Sequence, residues 1–173
     1  MAQQPYTLLA PAKADDVYSE WVGVAVESHQ LGRFPDAERQ LRHAIHLDPN
    51  DPRAHANLAC AYAAGGNYKE ALLAIERAEM LAKIAPEKNE NDVLTRKDIL
   101  STVLANWALI HLDMEQVGLA VARAEQAVEV NPCPQTRVTL AMCYPSAGIP
   151  EKSLLLYNAV LDKVPKHHVA GMN

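Results

Sequence analysis

An all-α solenoid of antiparallel helix pairs is the fold this sequence predicts, and three observations carry the prediction. Alanine fills 28 of the 173 positions while aromatic residues make up 5%, a composition suited to helices that approach one another closely. Small residues recur along a 34-residue ruler laid from Tyr18 to Asp51. Glycines and prolines fall at fixed places on that ruler, where one helix must end and the next begin.

The ruler places Ala25, Ala37 and Ala44 at positions 8, 20 and 27. A step of 34 residues reaches Ala59, Ala71 and Ala78, and a further 49 reaches Ala108, Ala120 and Ala127. Another 33 gives Ala141, Ser153 and Val160. Position 7 reads Val24, Leu58, Trp107 and Leu140, and position 24 reads Leu41, Ile75, Ala124 and Tyr157. Two apolar stripes at helical spacing therefore alternate within each unit. Position 15 is Gly32, Gly66, Glu115 or Gly148, the kind of residue that ends a helix in the left-handed region in three cases of four. Position 32 is proline at Pro49, Pro132 and Pro165, which stops the second helix.

The elements follow in order. Residues 1–16 hold Pro5, Pro11 and few anchors, which reads as a loosely held tail, with Asp15 or Asp16 capping the first helix. A repeat domain spans 17–165, with units at about 18–51, 52–85, 101–133 and 134–165. Between the second and third units lies an insertion, 86–100. Its EKNEN stretch reads as an exposed loop, with Asn91 or Asp92 as N-cap of one long helix from about Asp92 to Asp113. The third unit lacks the turn glycine, and the fourth is one residue short with Pro145 inside its first helix. Residues 166–173 match the opening of a fifth unit: Ala170 and Asn173 follow Pro165 as Ala54 and Asn57 follow Pro49. The expectation is a longer natural protein, since a solenoid needs a polar cap over its last apolar face.

Trp21, Val24, Ala25, Ala37, Leu41, Ala44 and Pro49 in the first unit, and Leu58, Ala59, Tyr62, Gly66, Tyr68, Ala71 and Ala78 in the second, resemble the tetratricopeptide repeat family from Tyr18 to Pro165. That resemblance implies a right-handed superhelix and a concave face lined by ruler positions 2, 5, 6, 9, 12 and 13. Among the residues at those positions are Val26, His29, Arg53, Asn57, Cys60, Asn106, Leu109, Asp113 and Met142, the candidate peptide-groove residues. A groove of this kind is small to medium, apolar and nearly uncharged. The family's carboxylate clamp for chaperone tails is not matched, because Val22, Val26, Asn57, Thr102 and Asn106 stand where it needs lysine, asparagine and arginine. The asparagine ladder of O-linked N-acetylglucosamine transferase is matched better, with Asn57, Asn106 and Asn173 at position 6 of units two, three and five. Gly23 and Thr139 interrupt it. A side-chain amide both donates and accepts, so it pairs with a peptide unit whatever the ligand's side chains.

Charge and chemistry narrow the function. A net charge of −5 argues against nucleic acid as partner, and no apolar run is long enough to span a membrane. Three cysteines without a CxxC pair fit reduced thiols and a cytoplasmic setting. His43 and His46 lie three apart, but nothing is placed to complete a metal site, and a solvated helix face is the better reading. His167 and His168 read the same way. Gly65 and Gly66 belong to an interhelix turn, and Cys60 lacks a base to activate it. No cofactor, metal or catalytic residue is expected. The reading is a protein-interaction module that takes a polypeptide segment in its groove. Two alternatives stand beside it: a substrate-recruiting N-terminal arm of a larger enzyme such as a glycosyltransferase, and a scaffold that self-associates, as a homodimer, through an uncapped C-terminal face.

Overall fold

The computed structural model describes residues 5–13, 16–87 and 92–163. Among them are eight helices and no strand: α1 (Val17–Gln30), α2 (Phe34–Leu47), α3 (Pro52–Ala64), α4 (Tyr68–Ile84), α5 (Arg96–Asp113), α6 (Val117–Val130), α7 (Pro134–Cys143) and α8 (Pro150–Leu161). Pro165, His167, His168, Asn173 and the opening of a fifth unit lie outside the described residues.

Each helix pair is hinged at ruler position 15. Gly32, Gly66 and Gly148 take φ of +74°, +82° and +77°, and Glu115 does the same without being glycine, at +59°. All four turns close with one bond, from the N–H one residue beyond the left-handed position to a carbonyl five residues back. The pairs are Arg33 to Ser28 (2.8 Å), Asn67 to Tyr62 (2.8 Å), Gln116 to His111 (2.9 Å) and Ile149 to Tyr144 (3.1 Å). The second helices end as proline dictates. α2 stops two residues before Pro49 and α6 two before Pro132, whereas α4, with Lys83 at the equivalent place, runs on for 17 residues to Ile84.

Helix starts are capped where the sequence allows it. Asp16 accepts from the Ser19 N–H (2.7 Å) at the head of α1, and Asp51 from the Arg53 N–H (2.9 Å) at the head of α3. The expected long helix from Asp92 is shorter than anticipated. A capping box of Thr95 and Asp98 starts α5 at Arg96, and Asp92 instead accepts from the Leu94 N–H (3.0 Å) in the turn before it. Pro145 has the effect its chemistry requires, confining α7 to 10 residues.

The ruler alanines are where the helices meet. Ala25, Ala37, Ala44, Ala59, Ala71, Ala78, Ala108, Ala120 and Ala127 are all buried to within 1%. First helices pack against first helices in succession, α1 to α3 to α5 to α7, while second helices pack against first helices and α4 and α6 meet only through side chains such as the Arg123–Glu79 ion pair (3.7 Å). A stack held together on one side in this way curves, with α1, α3, α5 and α7 lining the concave wall. One continuous core joins α1 to α5, and a smaller one around Leu140, Cys143 and Tyr144 serves the last two pairs.

The N-terminal segment departs from expectation. Rather than a loosely held tail, residues 5–13 follow the inner wall, and Leu9 is buried within the main core cluster with Tyr6 packed against it.

Candidate functional site

The concave wall is built by the inward stripes of α3 and α5. Ruler position 6 places Asn57 near the middle of α3 and Asn106 near the middle of α5, and both side chains are buried, at 1% and 0% exposure. Asparagine is a poor choice inside a helix unless its amide is used elsewhere. Here both ends are used. Asn57 Oδ1 accepts from the Leu9 N–H (2.7 Å) and its Nδ2 donates to the Leu9 carbonyl (2.8 Å). Asn106 repeats the arrangement on Thr7, at 2.8 Å and 2.7 Å.

Each amide thus mimics the edge of a β-strand, satisfying the donor and acceptor of one residue in an extended chain. The gripped residues are two apart, as the alternation of an extended segment demands. Two such residues advance about 7 Å, slightly less than the 8–10 Å between packed helices; the shortfall suits the inside of a curve. The segment runs against the order of the repeats, Leu9 on the second unit and Thr7 on the third. Beyond Thr7, the Tyr6 hydroxyl donates to Asp113 Oδ2 at the end of α5. Burial first, and then the neighbouring Asp113 carboxylate, raise the Tyr6 phenol pKa, so it stays a donor.

The other expected groove residues divide. Cys60 and Leu109 are buried in the wall, and burial raises the Cys60 thiol pKa, as for a packing residue. Val26 and Met142 are half-buried. Two have partners away from the segment. Arg53 is turned into an ion-pair cluster with Asp51 (3.2 Å) and Asp92, where it lines a cavity of about 580 Å³ beside Tyr18 and Arg96. A buried guanidinium needs such partners, and the insertion supplies one of them. His29 packs edge-on against Phe34 at 5.1 Å, with burial lowering its pKa. Of the other histidines, His43 packs against Trp21 with ring centroids 4.3 Å apart and the planes tilted by 53°. Among the described residues no group of three or more His, Cys, Asp or Glu is placed to hold a metal, and no helix is long and apolar enough to cross a membrane.

Tyr6, Thr7 and Leu9 are the site residues that the sequence pattern does not reveal. The trace they leave is an apolar YTLL run between Pro5 and Pro11, too short for a helix.

Comparison with known proteins agrees with this architecture. Two crystal structures of MamA superpose with TM-scores of 0.62 and 0.63 at 15% and 16% identity, covering 84% and 91% of this chain and 77% and 80% of theirs. A thermophilic TPR protein of Thermus thermophilus, TTC0263, aligns over 87% of this chain and 93% of its own at 20% identity, with a TM-score of 0.45. No curated protein sequence matches. The tetratricopeptide repeat family matches residues 30–88 and 106–168, leaving most of the insertion unmatched between them. With its hinged helix pairs, its alanine seams and that match over more than two thirds of its length, the chain belongs to the tetratricopeptide repeat family.

Proposed function

We propose that this protein is a non-catalytic interaction module that binds an extended polypeptide segment in its concave groove. The family fold supports a protein-interaction role in general. The observation that carries the finer reading is the pair of buried amides, Asn57 and Asn106, each meeting both polar atoms of a backbone unit. Recognition of this kind is set by main-chain geometry, with side-chain pockets adding selectivity. The three free cysteines support a cytoplasmic setting. The test is a selection of displayed peptides against the full chain carrying Thr7→Pro/Leu9→Pro, which undocks its own segment from the two amides, followed by titration with and without Asn57→Ala/Asn106→Ala. Binding is expected to weaken by about 1–3 kcal/mol from polar groups left unmet on the peptide; unchanged affinities would remove the reading.

A second reading, self-association, is favoured by the outer helix of the last pair. Leu154, Leu155 and Leu161 of α8 are 62%, 69% and 64% exposed, an apolar surface suited to a partner copy. Light scattering on the native chain and on Leu154→Ser/Leu155→Ser tests it. A monomer at micromolar concentration would count against it.

A further inference from the structure

Residues 6–9 occupy the groove with every polar backbone atom of Thr7 and Leu9 satisfied by the two ladder asparagines. Building on the peptide-groove reading, we infer that this segment is a built-in ligand. A partner polypeptide enters the groove by displacing it, through the same pattern: a tyrosine followed three residues later by leucine, with free backbone N–H groups one and three residues after the tyrosine.

Four features of the molecule support the inference. The segment is matched to the ladder beyond the two rungs it uses. Stepping by two residues from Thr7 and Leu9 reaches Pro5 and Pro11, neither of which has an N–H to give. The units that would meet them, the fourth and the first, carry Thr139 and Gly23 in place of asparagine. At Gly23 there is open space where a side chain would stand, so the missing rung is not forced by crowding. Rungs are present only where the segment has backbone donors to offer.

Second, two side chains of the segment are read along with its backbone. Tyr6 reaches Asp113, and Leu9 is 3% exposed within the core cluster. Third, the prolines prepare the conformation: Pro11 holds Ala10 in the extended region and fixes its own φ, so docking orders a chain that is already partly straight. Finally, the segment is tethered close to α1 and faces its own groove at an effective concentration on the order of millimolar. A free peptide of micromolar affinity competes poorly with that, and a partner gains access only by matching the pattern well or by drawing the segment away.

The experiment compares the native full chain with a full-length Thr7→Pro/Leu9→Pro variant, which removes both backbone donors of the resident segment and leaves the groove intact. The probe is a fluorescent synthetic peptide of residues 3–13, QQPYTLLAPAK, titrated by anisotropy, with circular dichroism confirming that the variant keeps its helices. A milder Tyr6→Phe full-length variant serves if the double change disturbs folding. The peptide is expected to bind the double variant at least tenfold more tightly than the native chain. A probe with phenylalanine for its tyrosine should bind less well, and a probe with proline at the positions of Thr7 and Leu9 should not bind. Equal affinity for native and variant chains would overturn the built-in ligand and leave the peptide groove standing. A helical variant that takes selected foreign peptides but not this one would overturn the shared pattern alone. Failure to take any peptide would remove both readings. A native dimer that becomes monomeric in the variant would assign the segment to a neighbour's groove and overturn the intramolecular contact.

Discussion

At the scale of single residues, the chain shows where a small side chain is required and where a polar one is. Glu115 holds the left-handed turn that glycine holds in the other three pairs, at a cost of about 1 kcal/mol for a residue with a Cβ. Glu115→Gly is therefore expected to raise stability by up to about 1 kcal/mol, and Gly66→Ala to lower it by a similar amount; urea unfolding checks both. Asn57 and Asn106 are the opposite case, residues kept in helices despite low propensity because both ends of the amide are satisfied. Replacing Asn106 by alanine leaves the Thr7 N–H and carbonyl without partners and should cost about 1–3 kcal/mol, offset in part by the better helix former. The asparagines were legible in the sequence as repeats of one slot. Their partners were not, because Thr7 and Leu9 lie 99 and 48 residues away along the chain and carry no periodicity of their own.

At the scale of elements, local signals decided most boundaries, and the one that moved did so for a local reason. The apolar pattern from Val93 onward suggests a helix beginning near Asp92, but the reciprocal bonds of Thr95 and Asp98 satisfy two orphan N–H groups and fix the start at Arg96. Asp98 is held further by the Asn131 amide at 3.0 Å. Hydrogen bonds from the Thr95 side chain, above all, and then from its backbone keep the Asp98 carboxyl below its ordinary value of 3.8. The sign follows. A carboxyl with a lowered folded value contributes stability that is full above 3.8 and is lost as pH falls through the folded value. Thr95→Ala should cost about 1 kcal/mol at neutral pH, and Asp98→Asn should flatten the acid limb of a thermal-melting profile below about pH 4. An unchanged acid limb would contradict the cap. Pro145 and the absence of a proline at Lys83 had equally direct effects, a short α7 and a long α4. The path of residues 5–13 had no such local signal, and the two prolines read alone as a tail.

At the scale of the whole molecule, a solenoid's stability is a sum over neighbours, so its ends differ from its middle. α3 and α5 are buried along most of their length, whereas α8 buries only Ser153. Amide exchange is expected to be fastest in α8 and slowest in α3 and α5, with intermediate values in α1; uniform exchange would show that the stack melts as one unit. The same architecture explains why the ladder amides share one wall: curvature brings the position-6 side chains of successive first helices toward a common line. What lies on that line is an extended backbone held by two amides. The most direct measurement is hydrogen exchange of the Thr7 and Leu9 amide protons by NMR in the native chain and in Asn57→Ala/Asn106→Ala. The groove predicts slowing by about a hundredfold or more over an unstructured chain in the native protein, lost in the variant while α3 and α5 stay protected. Exchange of both protons at the unstructured rate in the native protein would contradict it.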